Sequence, residues 1–541
     1  MLTSTKLSFI NSTIIPAVKT HFETSLAVDN VVGNLILGGN ECSCGSTPGV
    51  SIPTSYQTTG VAADIVLFVT ARTTRFTSNT IAFACPCAVD SATQRPIAGY
   101  INWGPNQVSE AFDAYQEQLG VAIHESTHAL GFTSGQYKYY GDPTGKATPQ
   151  ISYTYYEGGL NHTVQMLVLP KLLAVARNYF NCSSLIGVEL ENGGSSGTAA
   201  SHWERRLFQN EYMTGYSSYD PQFSIFTLAL LEDTGWYYPN YTNASPFSFG
   251  KGLGCDFVKE RCKERTLPYK CDDSASEGCS WDMRKKSRCD IQTYSGSLDP
   301  WYQYYSDPTI GGLDDLADYC TLLSYDTKYR GDCTVSQYNN PGDVYFEMDA
   351  YGEIYCPNCR CLSAYTTGNV VGPSCHNISC DSDGTMHIKI GYIWYPCTPG
   401  NLIEISEGFG GTYKCPDSSI CGDIPVDVNI WPDYVQVIPT KAAVGDYITV
   451  TGNKFGSNPQ ILLGIYYGCN DITINGNDIK CQIGIRSDAP KLRGDQEVDV
   501  VIVDQDTGHT AYGAKAFTVS SASSNVYMLY LLIVLFVVLL F

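Results

Sequence analysis

Twenty-two cysteines, an even number, constrain this chain more than any other feature, and fifteen of them fall between Cys255 and Cys421. Dense, even cysteines mark a disulfide framework assembled in an oxidising compartment. Sequons at Asn11, Asn161, Asn181, Asn240, Asn243 and Asn377 agree with that setting. The 541 residues give room for roughly three or four units with sizeable cores. Apolar residues at 43% and aromatics at 12% make the chain globular, not disordered. Its 33 basic and 54 acidic residues leave a net charge of −21, which excludes a non-specific nucleic-acid binder, because such a protein needs a basic stripe. Low charge together with 39 Tyr and 50 Gly predicts a β-rich, loop-rich surface.

The two ends read differently. Met1-Leu-Thr-Ser-Thr-Lys lacks an unbroken apolar stretch followed by a small-residue cleavage site. Either the chain is cytosolic or it starts inside a longer gene product, and the cysteine load favours the second reading. Val526 to Phe541 runs VYMLYLLIVLFVVLLF with no basic residue after it, preceded by Ser520, Ser521, Ala522, Ser523 and Ser524. Small residues before a terminal apolar run are the pattern of a glycosylphosphatidylinositol signal over residues 520–541. The alternatives are a short tail anchor that stays in place or a buried segment of a soluble protein.

Local patterns predict a helix from Ile14 to about Leu26, then strands at Asp64–Ala71, Ile81–Cys85 and Ile97–Trp103. Residues 107–131 read as a helix, with Val108, Phe112, Leu119 and Ile123 at helical spacing and Gly131 as its stop. A second helix is expected over Thr163–Phe180, interrupted at Pro170, and a third over Ser224–Glu232. Residues 255–424 read as cysteine-rich and loop-rich. From about Ile424, alternating segments at Val435, Tyr447, Ile461, Val498 and Ala516 predict a small β-sandwich.

Chemistry concentrates in Gly120-Val-Ala-Ile-His-Glu-Ser-Thr-His-Ala-Leu-Gly-Phe132. Four residues advance a helix by about 400°, so His124 and His128 share one face, one turn apart. Two imidazoles so placed can meet one tetrahedral metal ion, and Glu125 beside them can take a proton from water that the metal activates. The competing reading is a surface helix with two solvated histidines. The apolar setting of Val121, Ala122, Ile123, Ala129 and Leu130 argues for burial, and buried polar groups need partners. The extended form of this motif wants a third histidine three residues past its glycine, where this chain has Ser134. His21, His162, His202, His376, His387 and His509 are the remaining histidines, and His202 lies in Gly197-Thr-Ala-Ala-Ser-His-Trp-Glu-Arg-Arg.

At this point the chain resembles the leishmanolysin family of metzincin proteases. The resemblance rests on His124-Glu-Ser-Thr-His-Ala-Leu-Gly-Phe, Gly187-Val-Glu-Leu-Glu-Asn-Gly-Gly, Ser201-His-Trp-Glu-Arg-Arg, Asn210-Glu-Tyr-Met-Thr-Gly, Leu231-Glu-Asp-Thr-Gly-Trp-Tyr and Gly252-Leu-Gly-Cys-Asp-Phe. It implies an insertion before the third ligand, His202 as that ligand, one catalytic Zn2+ and Met213 as the residue of a tight turn beneath the metal. It also implies peptide-bond hydrolysis with Glu125 as general base, and protein or peptide substrates. Members of that family are made with a signal peptide and a propeptide whose cysteine caps the zinc, and neither is visible here.

Residues 425–519 look similar to immunoglobulin-like IPT/TIG domains, chiefly through Val437-Ile-Pro-Thr-Lys-Ala-Ala-Val-Gly-Asp-Tyr-Ile-Thr-Val-Thr-Gly. Cys469 and Cys481 within it are expected to pair. Cys356-Pro-Asn-Cys-Arg-Cys361 contains a Cys-x-x-Cys that is read as disulfide-bonded, in preference to a second zinc site or a redox pair. The resulting expectation is an α+β fold in which a zincin/metzincin catalytic domain with an active-site helix is followed by a cysteine-rich domain and an all-β immunoglobulin-like sandwich. Residues 1–132 form a subdomain ending in the zinc-binding helix, and 133–254 carry the insertion, the third histidine and the Met-turn. Residues 255–424, 425–519 and 520–541 complete the chain. The expected function is a zinc endopeptidase tethered at the cell surface. A catalytically silent surface adhesion protein on the same scaffold, or a soluble intracellular protease, would be the alternatives.

Overall fold

The structure, a computed structural model, describes residues 2–45, 47–73, 80–111, 114–194, 197–218, 220–262, 269–274, 276–325, 331–334, 352–366, 369–382, 384–391, 393–405, 411–416, 420–421, 433–464, 466–485, 495–505 and 510–520. The apolar run Val526–Phe541 therefore lies outside the described residues. Among those described, no helix is long and apolar enough to cross a membrane. The chain is a mixture of helices and sheets that divides into two compact units, Met1–Asp272 with Asp290–Leu322, and Asp273–Cys289 with Leu323–Phe541. Residues 290–322, within the stretch read as cysteine-rich, thus pack with the first unit.

In the first unit, a helical run from Ser4 leads through a π-helical stretch, Ile10–Ile14, into α1 (Ile15–Ser25). A three-stranded sheet follows, with β1 (Val66–Ala71), β2 (Ala82–Val89) and β3 (Pro96–Trp103) in the order β1-β3-β2. Strand β3 is central and buried along its whole length, pairing parallel to β1 and antiparallel to β2. This burial matches its nearly continuous apolar sequence. The long helix α2 (Tyr115–Leu130) packs on this sheet. Gly99 in β3 permits the approach, because a Cβ there would lie 2.6 Å from the Cβ of Ala129.

Helix α2 is shorter than the predicted 107–131. The Gln118 side chain explains the late start: its oxygen accepts from the backbone N–H of Ser109 at 3.3 Å, and its nitrogen donates to the carbonyl of Gln107 at 3.3 Å, pinning the preceding segment outside the helix.

Beyond α2, strands β4 (Gln150–Glu157) and β5 (Leu160–Leu167) form a hairpin, and β6 (Val188–Leu190) adds to β5. This corrects the helix predicted from Thr163. Leu160–Leu167 places Val164 and Met166 inward while Asn161 and Thr163 face water, an alternation of period two. Pro170 does not interrupt a helix; it begins α3 (Pro170–Phe180), where its missing N–H costs nothing. Helix α4 (Ile225–Asp233) starts as expected, with the Ser224 hydroxyl accepting from the N–H of Phe226 at 3.2 Å.

The second unit contains a six-stranded antiparallel sheet within residues 359–414 and an eight-stranded sheet built from residues 433–520. The latter is sandwich-like, with alternating burial along Tyr447–Asn453 and a core including Val450, Ile461, Leu463, Ile479, Ile483, Val500 and Ile502. The six-stranded sheet was not expected within a loop-rich stretch. Its inward positions combine Leu362, Ile378, Ile388 and Tyr413 with cysteines, so sulfur occupies places where a strand pattern would show aliphatic side chains.

All 22 cysteines are disulfide-bonded. The pairs include Cys42–Cys87, Cys44–Cys85, Cys182–Cys255, Cys262–Cys320, Cys279–Cys361 and Cys333–Cys375. The Cys356–Cys359 pair makes a bonded loop of the Cys-x-x-Cys, and Cys469 pairs with Cys481.

Candidate active site

Helix α2 buries a run of polar residues, Glu125, Ser126, Thr127 and His128, together with Gln118. Hydroxyls of Ser126 and Thr127 return to the carbonyls of Ala122 and Ile123 at 2.7 and 2.9 Å, so neither disturbs the apolar surroundings. The helix stops at Gly131, whose φ of 127° is one that side-chain-bearing residues rarely adopt. A Cβ at this position would also lie 2.8 Å from the Trp236 ring. The carbonyls freed at the helix end are taken up by tyrosines, Tyr237 on Leu130 and Tyr140 on Gly131, each at 2.8 Å. The turn brings the Phe132 carbonyl back over His128.

Three histidines converge. Each Nε2 of His124, His128 and His202 lies 3.1 Å from the other two. Each Nδ1 faces a backbone carbonyl: Tyr212 O at 2.6 Å for His124, Phe132 O at 2.7 Å for His128 and Thr198 O at 2.8 Å for His202. A carbonyl can only accept, so each Nδ1 carries the ring proton and each Nε2 presents a lone pair. Three lone pairs directed at one another with no proton between them repel, and a cation resolves that repulsion. The spacing fits: zinc–nitrogen bonds of about 2.0–2.1 Å in tetrahedral geometry set nitrogens roughly 3.3 Å apart. Burial lowers all three basicities, His128 to about 4, His202 to about 3 and His124 well below its ordinary value, which keeps the rings neutral and available as ligands. The carbonyl on each far nitrogen is the usual means of fixing a ligand tautomer.

Glu125 is buried at 5% exposure, its Oε2 has no hydrogen-bond partner, and burial pushes its carboxyl up to about 8. Met213 is fully buried in a turn closed by the Thr214 N–H on the Glu211 carbonyl at 3.1 Å. Its own carbonyl accepts from the Trp203 N–H at 3.0 Å, next to His202. The structure thus brings His124, His128 and His202 together, with Met213 in a turn that touches the third-histidine segment. Among the described residues, Cys271, Cys289 and Asp290 also cluster, but both sulfurs are in disulfides and offer no thiolate.

Two features escaped the sequence reading. Arg206, four residues past His202, is buried between Glu189 of β6 and Asp318, the latter at 3.0 Å, while neighbouring Arg205 pairs with Asp314. Glu191 and Glu204 complete this buried charge cluster; burial pushes Glu191 up to about 8 and Glu204 well above the carboxylate range. The second is Glu211, a fully buried carboxylate beneath the Met213 turn. The available signal was the same in both cases: charged residues set inside otherwise apolar or aromatic stretches.

Residues 1–428 match the protein-family model described as Leishmanolysin. The chain is 31% identical over 439 residues to a leishmanolysin-like peptidase of Drosophila melanogaster, covering 66% of this chain and 64% of that protein. It is 30% identical over 458 residues to a leishmanolysin-like peptidase of Caenorhabditis briggsae, covering 69% and 68%, and 28% identical over 447 residues to a leishmanolysin homolog of Crithidia fasciculata, covering 77% and 63%. It therefore spans a little under two thirds of the length of the Drosophila and Crithidia relatives. With the family match covering most of its length, this chain belongs to the leishmanolysin family.

Proposed function

We propose that the protein is a zinc-dependent endopeptidase acting on proteins or peptides. The observation that carries this reading is the set of three deprotonated Nε2 atoms 3.1 Å apart, each ring oriented from behind by a carbonyl. His124, His128 and His202 would hold one Zn2+, which when bound supplies Lewis-acid polarisation of a peptide carbonyl and makes water acidic enough to ionise near neutral pH. Glu125 is the general base: burial alone disfavours its ionised form, a cation held by the neighbouring histidines would favour it, and once ionised the carboxylate, with a free Oε2, takes the proton of the attacking water and returns it to the leaving amine. The helix fixes Glu125 beside His124, so the base and the two helical histidines move as one body. Met213 supports the ligand rings from below.

We further infer that this catalytic unit is of metzincin type and acts at the cell surface. Residues 1–132 and 133–254 form its two halves, 255–424 the cysteine-rich domain, 425–519 an immunoglobulin-like IPT/TIG domain, either spacer or adhesive module, and 520–541 a lipid-anchor signal or tail anchor. The universal disulfide bonding supports an extracellular setting. The retained Glu125 favours an enzyme over a silent adhesion protein.

The test is metal analysis paired with a casein-type protease assay, with and without chelator. One equivalent of zinc and chelator-sensitive cleavage are expected. Glu125→Ala should keep its zinc and lose cleavage by roughly 10²–10⁴-fold. Undiminished turnover in that variant would overturn the role of Glu125, and a wild-type protein that binds no zinc would overturn the site.

A further inference from the structure

Glu211 has no part in the chemistry above, yet it is a carboxylate with 0% exposure whose oxygens are all engaged. Oε2 accepts the Met213 N–H at 2.5 Å. Oε1 accepts two hydroxyls, from Ser224 at 2.8 Å and Thr227 at 2.6 Å, both at the start of helix α4. Each of those hydroxyls is used twice. Ser224 Oγ also accepts from the N–H of Phe226 at 3.2 Å, as the cap of α4. Thr227 Oγ1 also accepts from the indole N–H of Trp203 at 2.9 Å. Every donor in this set points at Glu211, so its carboxylate form is fully satisfied by hydrogen bonds, which offset the burial that pushes its carboxyl up to about 7.

The set reaches both arms of the metal site. Between Glu211 and Met213 stands Tyr212, whose carbonyl receives the Nδ1 proton of His124 at 2.6 Å and whose hydroxyl meets Thr127 of α2 at 2.9 Å. Trp203 follows His202 directly, and it is held at both ends of the set, by its backbone N–H on Met213 O at 3.0 Å and by its ring N–H on Thr227. One buried carboxylate therefore fixes the turn that orients a helix histidine and the residue that places the loop histidine.

We propose that Glu211 is a positioning residue for the metal site, holding the Met213 turn so that the His124 and His202 rings converge on one ion. It rests on the reading of His124, His128 and His202 as zinc ligands. A group that orients a ligand through its hydrogen-bond partner typically alters metal affinity about 10–100-fold, and Glu211 acts one step further out, so the expected loss is near the lower bound. The energetic logic is that removing one acceptor strands three buried donors at once, and the turn must move to find them new partners.

The experiment measures the zinc dissociation constant by competition with a chromophoric chelator, the visible spectrum of the Co2+-substituted protein, and unfolding midpoints with and without zinc. In Glu211→Ala, zinc affinity should fall about 10-fold, and the stabilisation conferred by zinc should shrink. The tetrahedral Co2+ bands should weaken or shift. Glu211→Gln keeps one oxygen for the Met213 N–H and should fall between alanine and wild type. Thr227→Val, which removes the hydroxyl shared by Glu211 and Trp203 but keeps the carboxylate, serves if the alanine variant does not fold, and should lower affinity by a smaller factor. A purely structural Glu211 would lower both midpoints equally and leave affinity and spectrum unchanged, which would overturn the inference. Absence of zinc binding by wild type would instead overturn the site itself.

Discussion

His124 and His128 sit one helical turn apart on α2, whereas His202 lies in a segment with no helix or strand of its own, held by groups distant in sequence. The helical pair takes its spacing from the backbone repeat and its burial on the sheet from Gly99 and the apolar face, and only the His124 ring also leans on a distant group, the Tyr212 carbonyl. The third histidine needs a frame. Arg206 is clasped by Glu189 and Asp318, Arg205 by Asp314, the carbonyl of Ala200 accepts from Tyr137 Oη at 3.0 Å, and Trp203 is bonded to the Met213 turn. A candidate metal site so divided has one arm stabilised mainly by local hydrogen bonds and one stabilised by long-range electrostatics and crosslinks. The two arms should fail under different insults.

The largest effect is expected at Arg206. Arg206→Met leaves Glu189 and Asp318 buried without their cation and should cost roughly 3–5 kcal/mol in urea unfolding, with zinc retention lost before α2 melts. Unaltered stability there would remove the contrast between the arms. Next is the double variant Cys262→Ser with Cys320→Ser. It frees the segment carrying Asp314 and Asp318 and should cost about 2–4 kcal/mol while leaving the Nδ1–carbonyl contacts of His124 and His128 intact by NMR. Gly99→Ala attacks the other arm, since its new Cβ meets Ala129 at 2.6 Å; overpacking should cost about 1–3 kcal/mol and lower kcat by tilting α2. Smallest is Thr127→Val, which cuts the bond to the Tyr212 hydroxyl that ties the arms together, about 1 kcal/mol by thermal unfolding. A larger loss at Thr127 than at Arg206 would reverse the assignment of which arm carries the site.

The same division explains what the sequence made readable. The helix bearing His124, Glu125 and His128, the strand Pro96–Trp103 and the start of α4 were legible because each depends on neighbours within a few residues. So was the Cys469–Cys481 pair, which closes over a short separation, whereas Cys356-Pro-Asn-Cys-Arg-Cys361 was legible as disulfide-bonded but not as to which sulfurs join. His202 was reached only through family resemblance; spacing alone left several histidines open. The partners of Arg206, the role of Glu211 and the long-range disulfides were not legible, because in each the contact joins positions with no shared periodicity. Thr163–Phe180 misled for a related reason: Pro170 marks a boundary equally well from inside a helix or at its first turn, and only the hairpin with Gln150–Glu157 decides.

The complete pairing of sulfur carries a chemical consequence for anyone handling this protein. With no thiolate anywhere in the chain, alkylating agents, mercurials and cuprous ions find no soft anionic donor to attack. Imidazole is then the strongest borderline base on offer to a transition metal in non-reducing buffer, with the neutral methionine thioethers as the remaining soft donors.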